Sequence, residues 1–273
     1  MIARVRALLA SCHPLPCLAV TGFIGAYAAV IGLPPGRLAL LAAAVLTGQL
    51  SIGWSNDAID AGRDAAAGRT DKPVARDDVG RRAVVIAAGL ALLACVPLSL
   101  ALGPLPGVLH LIGVAAGWAH NLGVKSTPVS PVPYLVAFGL LPAVATWSLP
   151  GTSAGWPPVQ VMAGAALLGA AAHFANTVGD TEADAATGVR GLPQRIGPRA
   201  SLVATAMLVA AAGSVLRYAT QDRDSPGVLL LAAGAGLAGI GIALGMRPRP
   251  GRIVFRLTLV AVGLVVAGFL LSS

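Results

Sequence analysis

Charge is scarce in this 273-residue chain: 11% of its residues are Asp, Glu, Lys or Arg, against roughly 25% in a soluble globular domain. So few charges cannot cover a water-facing surface, and a mean hydropathy of +0.80 points to a bilayer instead. Cysteine is nearly absent. Cys12, Cys17 and Cys95 show neither metal nor redox spacing, which argues against a disulfide scaffold or a zinc site and leaves them as packing residues. Aromatics make up 4%, and none of Trp54, Trp118, Trp147 or Trp156 belongs to a recognisable ring-binding box. Acidic residues number only 11, against 19 Lys and Arg, so where the acids sit carries information.

What is abundant is hydrocarbon. Apolar runs close to the ~20 residues needed to cross a bilayer recur along the chain, at about 15–34, 37–55, 82–102, 104–120, 131–149, 157–178, 199–220, 226–245 and 253–272. The pattern predicts an all-α integral membrane protein, a single domain over 1–273 with about nine spans bundled around a central cavity. With the N-terminus inside, 16 of the 19 basic residues fall on the cytoplasmic side, leaving Arg37, Arg217 and Arg223 outside. That bias fixes the expected orientation, with the N-terminus and the polar loops cytoplasmic. The pI of 10.4 reads as topology and attraction to anionic lipid. Cations scattered over separate loops argue against nucleic acid. Arg4 and Arg6 ahead of the first apolar run resemble a signal peptide, but the run is long and many spans follow, so a retained helix is expected.

Nine of the 11 acids fall within 57–78 and 180–184. Asn56, Asp60, Asp64 and Gly68 recur 120 residues later as Asn176, Asp180, Asp184 and Gly188. The offset equals four spans, so both segments face the cytoplasm. It predicts a four-helix duplication, with halves 15–125 and 131–245 and a final helix 253–272. Residues at i, i+4 and i+8 share one helix face, so each half carries a polar stripe leaving its second span, and Gly68 and Gly188 sit where those helices end. His173 shares the second stripe and has two readings, a cavity residue or a structural polar one. Asp77 and Asp78 lie outside the repeat and read as solvated loop.

Carboxylates four apart on facing helices are oxygen ligands for a hard divalent cation. Magnesium takes one or two of them plus substrate phosphate oxygens and waters. Basic residues follow each stripe: Arg69 and Lys72 in the first half, Arg190 and Arg195 in the second. They would repel a bare metal but suit one carrying a polyanion. Acid stripes with a basic fringe therefore point to a magnesium–diphosphate ligand. A cation transporter could also use acids, yet those are expected near the midplane of broken spans, not beside Arg and Lys at one membrane face.

Asn56-Asp57-x2-Asp60-x3-Asp64 followed by Arg69-Thr70-x-Lys72-Pro73, with Asp180-x3-Asp184 followed by Gly188 and Arg190, resembles the double signature of the UbiA superfamily of intramembrane prenyltransferases. The resemblance implies an isoprenoid-synthase-like helical bundle with a cavity open to lipid. It further implies transfer of an isoprenyl group from an allylic diphosphate to a small-molecule acceptor, most often aromatic. By position, Asn56, Asp60 and Asp64 would serve one Mg²⁺ and Asp180 and Asp184 another. Asp57 is counted with the metal residues, although on a helix it points about 100° from Asn56. Lys125 resembles the family lysine of a Tyr-x3-Lys element, with Asn121 in place of the tyrosine; an inside-loop topology charge is its alternative reading. Arg69, Lys125 and Arg190 would stabilise the departing diphosphate, with Asn56 and Lys72 also binding it. His13-Pro14 stands where the family often has Arg-Pro. A UbiA-type terpene cyclase and a non-catalytic relative are the nearest alternatives. The residue pattern specifies no particular acceptor, prenyl length or oligomeric state.

Overall fold

A computed structural model describes residues 2–70, 72–151, 155–178, 188–220, 226–245 and 253–272. Every regular element among them is helical: α1 (Ile2–Ala10), α2 (Pro14–Val30), α3 (Pro35–Ala66), α4 (Arg81–Ala101), α5 (Pro104–Leu122), α6 (Val132–Trp147), α7 (Val159–Val178), α8 (Leu192–Ile196), α9 (Pro198–Ala219), α10 (Gly227–Gly245) and α11 (Ile253–Leu270). Prolines open α2, α3, α5 and α9. There the missing N–H costs no intrahelical bond and φ is already helical.

Among the described residues, α3, α4, α7 and α9 are each long and apolar enough to cross a membrane, and α1 with α2 forms a further candidate bent by 61°. Leu18, Leu90, Leu93, Met207 and Leu229 are exposed on the outside of the bundle, the surface expected where the solvent is hydrocarbon. The chain is therefore a multi-pass membrane protein. Arg223, Arg247, Arg249 and Arg252, used in the expected charge bias, lie outside the described residues.

Two apolar clusters hold the bundle. One joins α2, α3, α5 and α6 through residues such as Ile24, Leu41, Val45, Leu109 and Val144. The other joins α7, α9, α10 and α11 through Leu168, Val209, Leu216, Leu231 and Val265. Tyr27 of α2 packs against both. The Arg37 guanidinium donates to the carbonyls of Ser148 and Leu102, tying down the C-terminal ends of α6 and α4, whose last carbonyls lack helical partners.

The feature that positions the site is α3, which continues beyond its apolar run to Ala66. Gly68 ends it in the left-handed region, at φ +64°, which a residue with a Cβ enters only at a cost. At the other side of the site, the α1–α2 break lies against α3 at Gly53. A Cβ added there would collide with the Cys12 carbonyl.

Candidate active site

An elongated cavity of about 680 Å³ runs between the two clusters, within the usual size of a small-molecule site. Its polar end is lined by Asn56, Asp57, Asp60, Asp64, Arg69, Lys72 and Lys125. One face of α3 therefore delivers Asn56, Asp60 and Asp64 together, as their four-residue spacing predicts. Asp180 and Asp184 lie outside the described residues, as does Glu182.

Two cation–acid clusters organise this end. In the first, Lys125 Nζ donates to Asn56 Oδ1 at 3.1 Å and to both Asp60 carboxylate oxygens at 2.6 and 2.5 Å. Arg63 also pairs with Asp60. Lys125 reaches α3 from the short 3-10 turn Val124–Ser126 that follows α5. Burial pulls its ammonium below the ordinary lysine value, an effect the Asp60 carboxylate opposes. In the second cluster, Asp57 Oδ1 accepts from Lys72 Nζ at 2.6 Å and lies 3.0 Å from His13 Nε2. Asp57 is 1% exposed, and its Oδ2 has no hydrogen-bond partner.

The first cluster bears on metal binding. Three oxygens from Asn56 and Asp60 converge on one ammonium, so they already point at a common cation position. An oxygen-only donor set of this kind fits a hard ion such as Mg²⁺. Among the described residues no three His, Cys, Asp or Glu side chains form a metal group by themselves. The remaining donors would come from elsewhere, as they do when substrate phosphates complete a magnesium shell. Asp57 belongs to the other cluster, consistent with its different direction from α3.

The other site residues divide clearly. Arg69 and Lys72 line the cavity, whereas Arg190 is exposed and is not part of its wall. Arg256 of α11 does line it, a cation that the sequence pattern counts only as a topology charge. Asn121, at the tyrosine position of the family element, donates through Nδ2 to the Ile52 carbonyl and Ser55 Oγ, so it fastens α5 to α3. Tyr134 enters the same wall from α6, its ring 5.1 Å from that of His120 and 4.8 Å from that of His173. His173 satisfies both of its readings. It lines the cavity, and its Nε2 lies 3.0 Å from Ser130 Oγ, which also accepts from the Leu192 N–H.

Comparison with known proteins follows the same lines. The model of the UbiA prenyltransferase family matches residues 18–260. The apo structure of a UbiA homolog from Aeropyrum pernix K1 superposes with a TM-score of 0.76 at 18% identity, covering 92% of this chain and 96% of that one. A UbiA homolog from Archaeoglobus fulgidus bound to DMAPP and Mg²⁺ gives 0.70 at 16% identity, covering 96% and 97%. The same homolog bound to GPP and Mg²⁺ gives 0.67 at 15%, covering 98% and 100%. At these identities the likeness is one of fold. No curated protein matches the sequence significantly.

Proposed function

The chain belongs to the UbiA prenyltransferase family, and from that premise we propose that it is a Mg²⁺-dependent intramembrane prenyltransferase whose active site is the cavity described above. It would transfer an isoprenyl group from an allylic diphosphate to a small acceptor, an aromatic in the first instance. The observation that carries this reading is the convergence of Asn56 and Asp60 oxygens on one cation position, at the end of a cavity whose remaining wall is mostly apolar, with Gln49, Tyr134 and His173 in it. Relatives of the same fold bind GPP or DMAPP with Mg²⁺, which supports the substrate class.

In this reading Asn56, Asp60 and Asp64, with Asp180 and Asp184, hold the metal ions. Bound magnesium supplies charge neutralisation for the departing diphosphate. Lys125, Lys72 and Arg69 bind its oxygens, and Arg256 covers the flank that the sequence pattern assigns to Arg190. The apolar wall excludes water from the allylic cation until the acceptor captures it. Asp57 acts as the anchor of Lys72. The domain is one unit over 1–273 with about nine spans, halves 15–125 and 131–245, and its N-terminus and polar loops cytoplasmic. The positive φ shared by the repeat glycines, +64° at Gly68 and +79° at Gly188, favours the duplication.

The test is an assay of purified protein with Mg²⁺ and a panel of prenyl diphosphates, with and without candidate aromatic acceptors, followed by mass analysis. Diphosphate release and an acceptor-linked product are expected, both lost in Asp60→Ala and Asp180→Ala. Prenyl products formed without any acceptor would identify a terpene cyclase. Near-normal turnover in both variants would reject the metal assignment.

A further inference from the structure

The hydrocarbon part of the cavity has a measurable length. Its wall follows three helices from the level of Asn56, Asn176 and His13 down to an apolar floor. Along α2 the lining residues run from His13, just before its first turn, to Tyr27, on α7 from Thr177 to Val161, and on α11 from Phe255 to Leu270. These intervals are fourteen to sixteen residues, which at the helical rise is about 21–24 Å. These three helices bound a slot about that deep, whereas α3 lines it only down to Gln49 and α6 only to Pro142. Asp60, Asp64, Arg69 and Lys72 lie beyond its upper edge on the continuation of α3 and the loop that follows, so a diphosphate held there leaves the whole slot to the tail.

An extended isoprene unit advances by four carbon–carbon bonds, about 5 Å along the chain once bond angles are allowed for. Four units therefore match the depth, and two units leave about half of it empty. The floor is built for closure. Tyr27 packs against both apolar clusters, its hydroxyl lies 3.4 Å from Thr146 Oγ1, and Val161, Leu216 and Leu270 line the same end.

We infer that this slot measures the donor, selecting an allylic diphosphate of four isoprene units, with Tyr27 as the residue that stops longer tails. The inference rests on the prenyltransferase reading above and adds to it the length of the donor and the residue that sets it. Unfilled apolar wall at the floor forfeits contact energy for shorter tails, while a fifth unit meets the Tyr27 ring.

The experiment compares C5, C10, C15, C20 and C30 prenyl diphosphates by kcat/KM with Mg²⁺. In parallel, thermal stabilisation of the protein is measured with the corresponding unreactive thiolodiphosphates. Both readouts are expected to rise through C20, by tenfold or more in kcat/KM from C10 to C20, and to fall at least tenfold at C30. Tyr27→Ala is expected to restore C30, and Tyr27→Phe to leave the profile unchanged. Ala165→Phe, with its ring about 16 Å below Asn176, is expected to move the optimum to C15 or shorter, so the inference does not depend on one variant folding. A C30 donor used as well as C20 would overturn the inference, because the tail would then leave sideways. So would an optimum below C20, or a profile that neither Tyr27→Ala nor Ala165→Phe alters. If no prenyl diphosphate of any length is consumed or stabilises the protein, the prenyltransferase reading itself fails.

Discussion

At its polar end the cavity is held by charge already in place, with Lys125 and Arg63 on Asp60 and Lys72 with His13 on Asp57. Twenty or so ångströms away along the helices, the floor residues Val161, Leu216 and Leu270 are apolar, and the Tyr27 hydroxyl makes a long contact to Thr146. The two ends consequently respond to change in different ways. A buried carboxylate that loses its cation is left with an uncompensated charge, a loss of several kcal/mol. Apolar side chains at the floor share their contacts among the neighbours of both clusters. The polar end is thus a preorganised receptor whose own cations occupy the place a metal needs, and the apolar end is a ruler.

The largest effect is expected from Asp60→Asn, which removes one charge from the convergent oxygen set. Turnover should fall by at least about 100-fold, the scale of losing a principal electrostatic element in a site. The Mg²⁺ concentration for half-maximal activity should rise as well. A variant with unchanged metal dependence would show that Asp60 serves Lys125 rather than magnesium.

Lys125→Met comes next and separates competition from catalysis. Removing the ammonium opens its place between Asn56 and Asp60 to a divalent ion, with Arg63 still paired to Asp60. Mg²⁺ should then raise the melting temperature more than in the parent protein when no substrate is present. Turnover should nonetheless drop, by about 10- to 100-fold, because the diphosphate loses a charge-assisted donor. Weaker Mg²⁺ stabilisation in this variant would contradict the idea that Lys125 holds the metal's place.

A smaller change is expected from Asp57→Asn. Lys72 would lose its anchor while the Asn56–Asp60 pair stays intact, so KM for the prenyl diphosphate should rise by about tenfold, the cost of a modest positioning error. The Mg²⁺ dependence should hold. Lys72→Met should reproduce this phenotype, and the double variant should be no worse than either single one. A shifted Mg²⁺ requirement would return Asp57 to the metal ligands, where the signature alone places it.

These cases also show what the sequence could carry. Asn56, Asp60 and Asp64 were legible because a four-residue spacing has one geometric meaning on a helix, and Gly68 marked where that helix stops. Lys125 was legible through the resemblance, not through its surroundings, since a lone lysine after a span looks like any inside-loop charge. The partners of Asp57 were hidden by distance, with His13 44 residues away and Lys72 15. The α1–α2 break was equally hidden: His13 bends the chain at φ +57°, and hydropathy does not register a bend. Arg256 was masked by its place in a basic segment that the topology rule had already explained. Least legible was the ruler, because Val161 and Leu270 are hydrocarbon among hydrocarbon and Tyr27 is one ring in an apolar run, and only the similar depth of three helices distinguishes them.

The smallest expected effect lies at the floor and tests the contrast from its other side. Tyr27→Phe deletes the hydroxyl but keeps the ring between the two clusters. The contact to Thr146 is long, at 3.4 Å, near the limit at which a hydrogen bond still contributes. Thr146 Oγ1 also keeps its bond to the Pro142 carbonyl, so no buried group is orphaned by the change. A stability change of no more than about 0.5 kcal/mol is expected, at the bottom of the range for an intramolecular hydrogen bond, read as a shift in melting temperature in detergent. A loss of about 2 kcal/mol or more would mean that the hydroxyl is a structural fastener comparable to those of the polar end, and the division between a charged receptor and an apolar ruler would have to be redrawn.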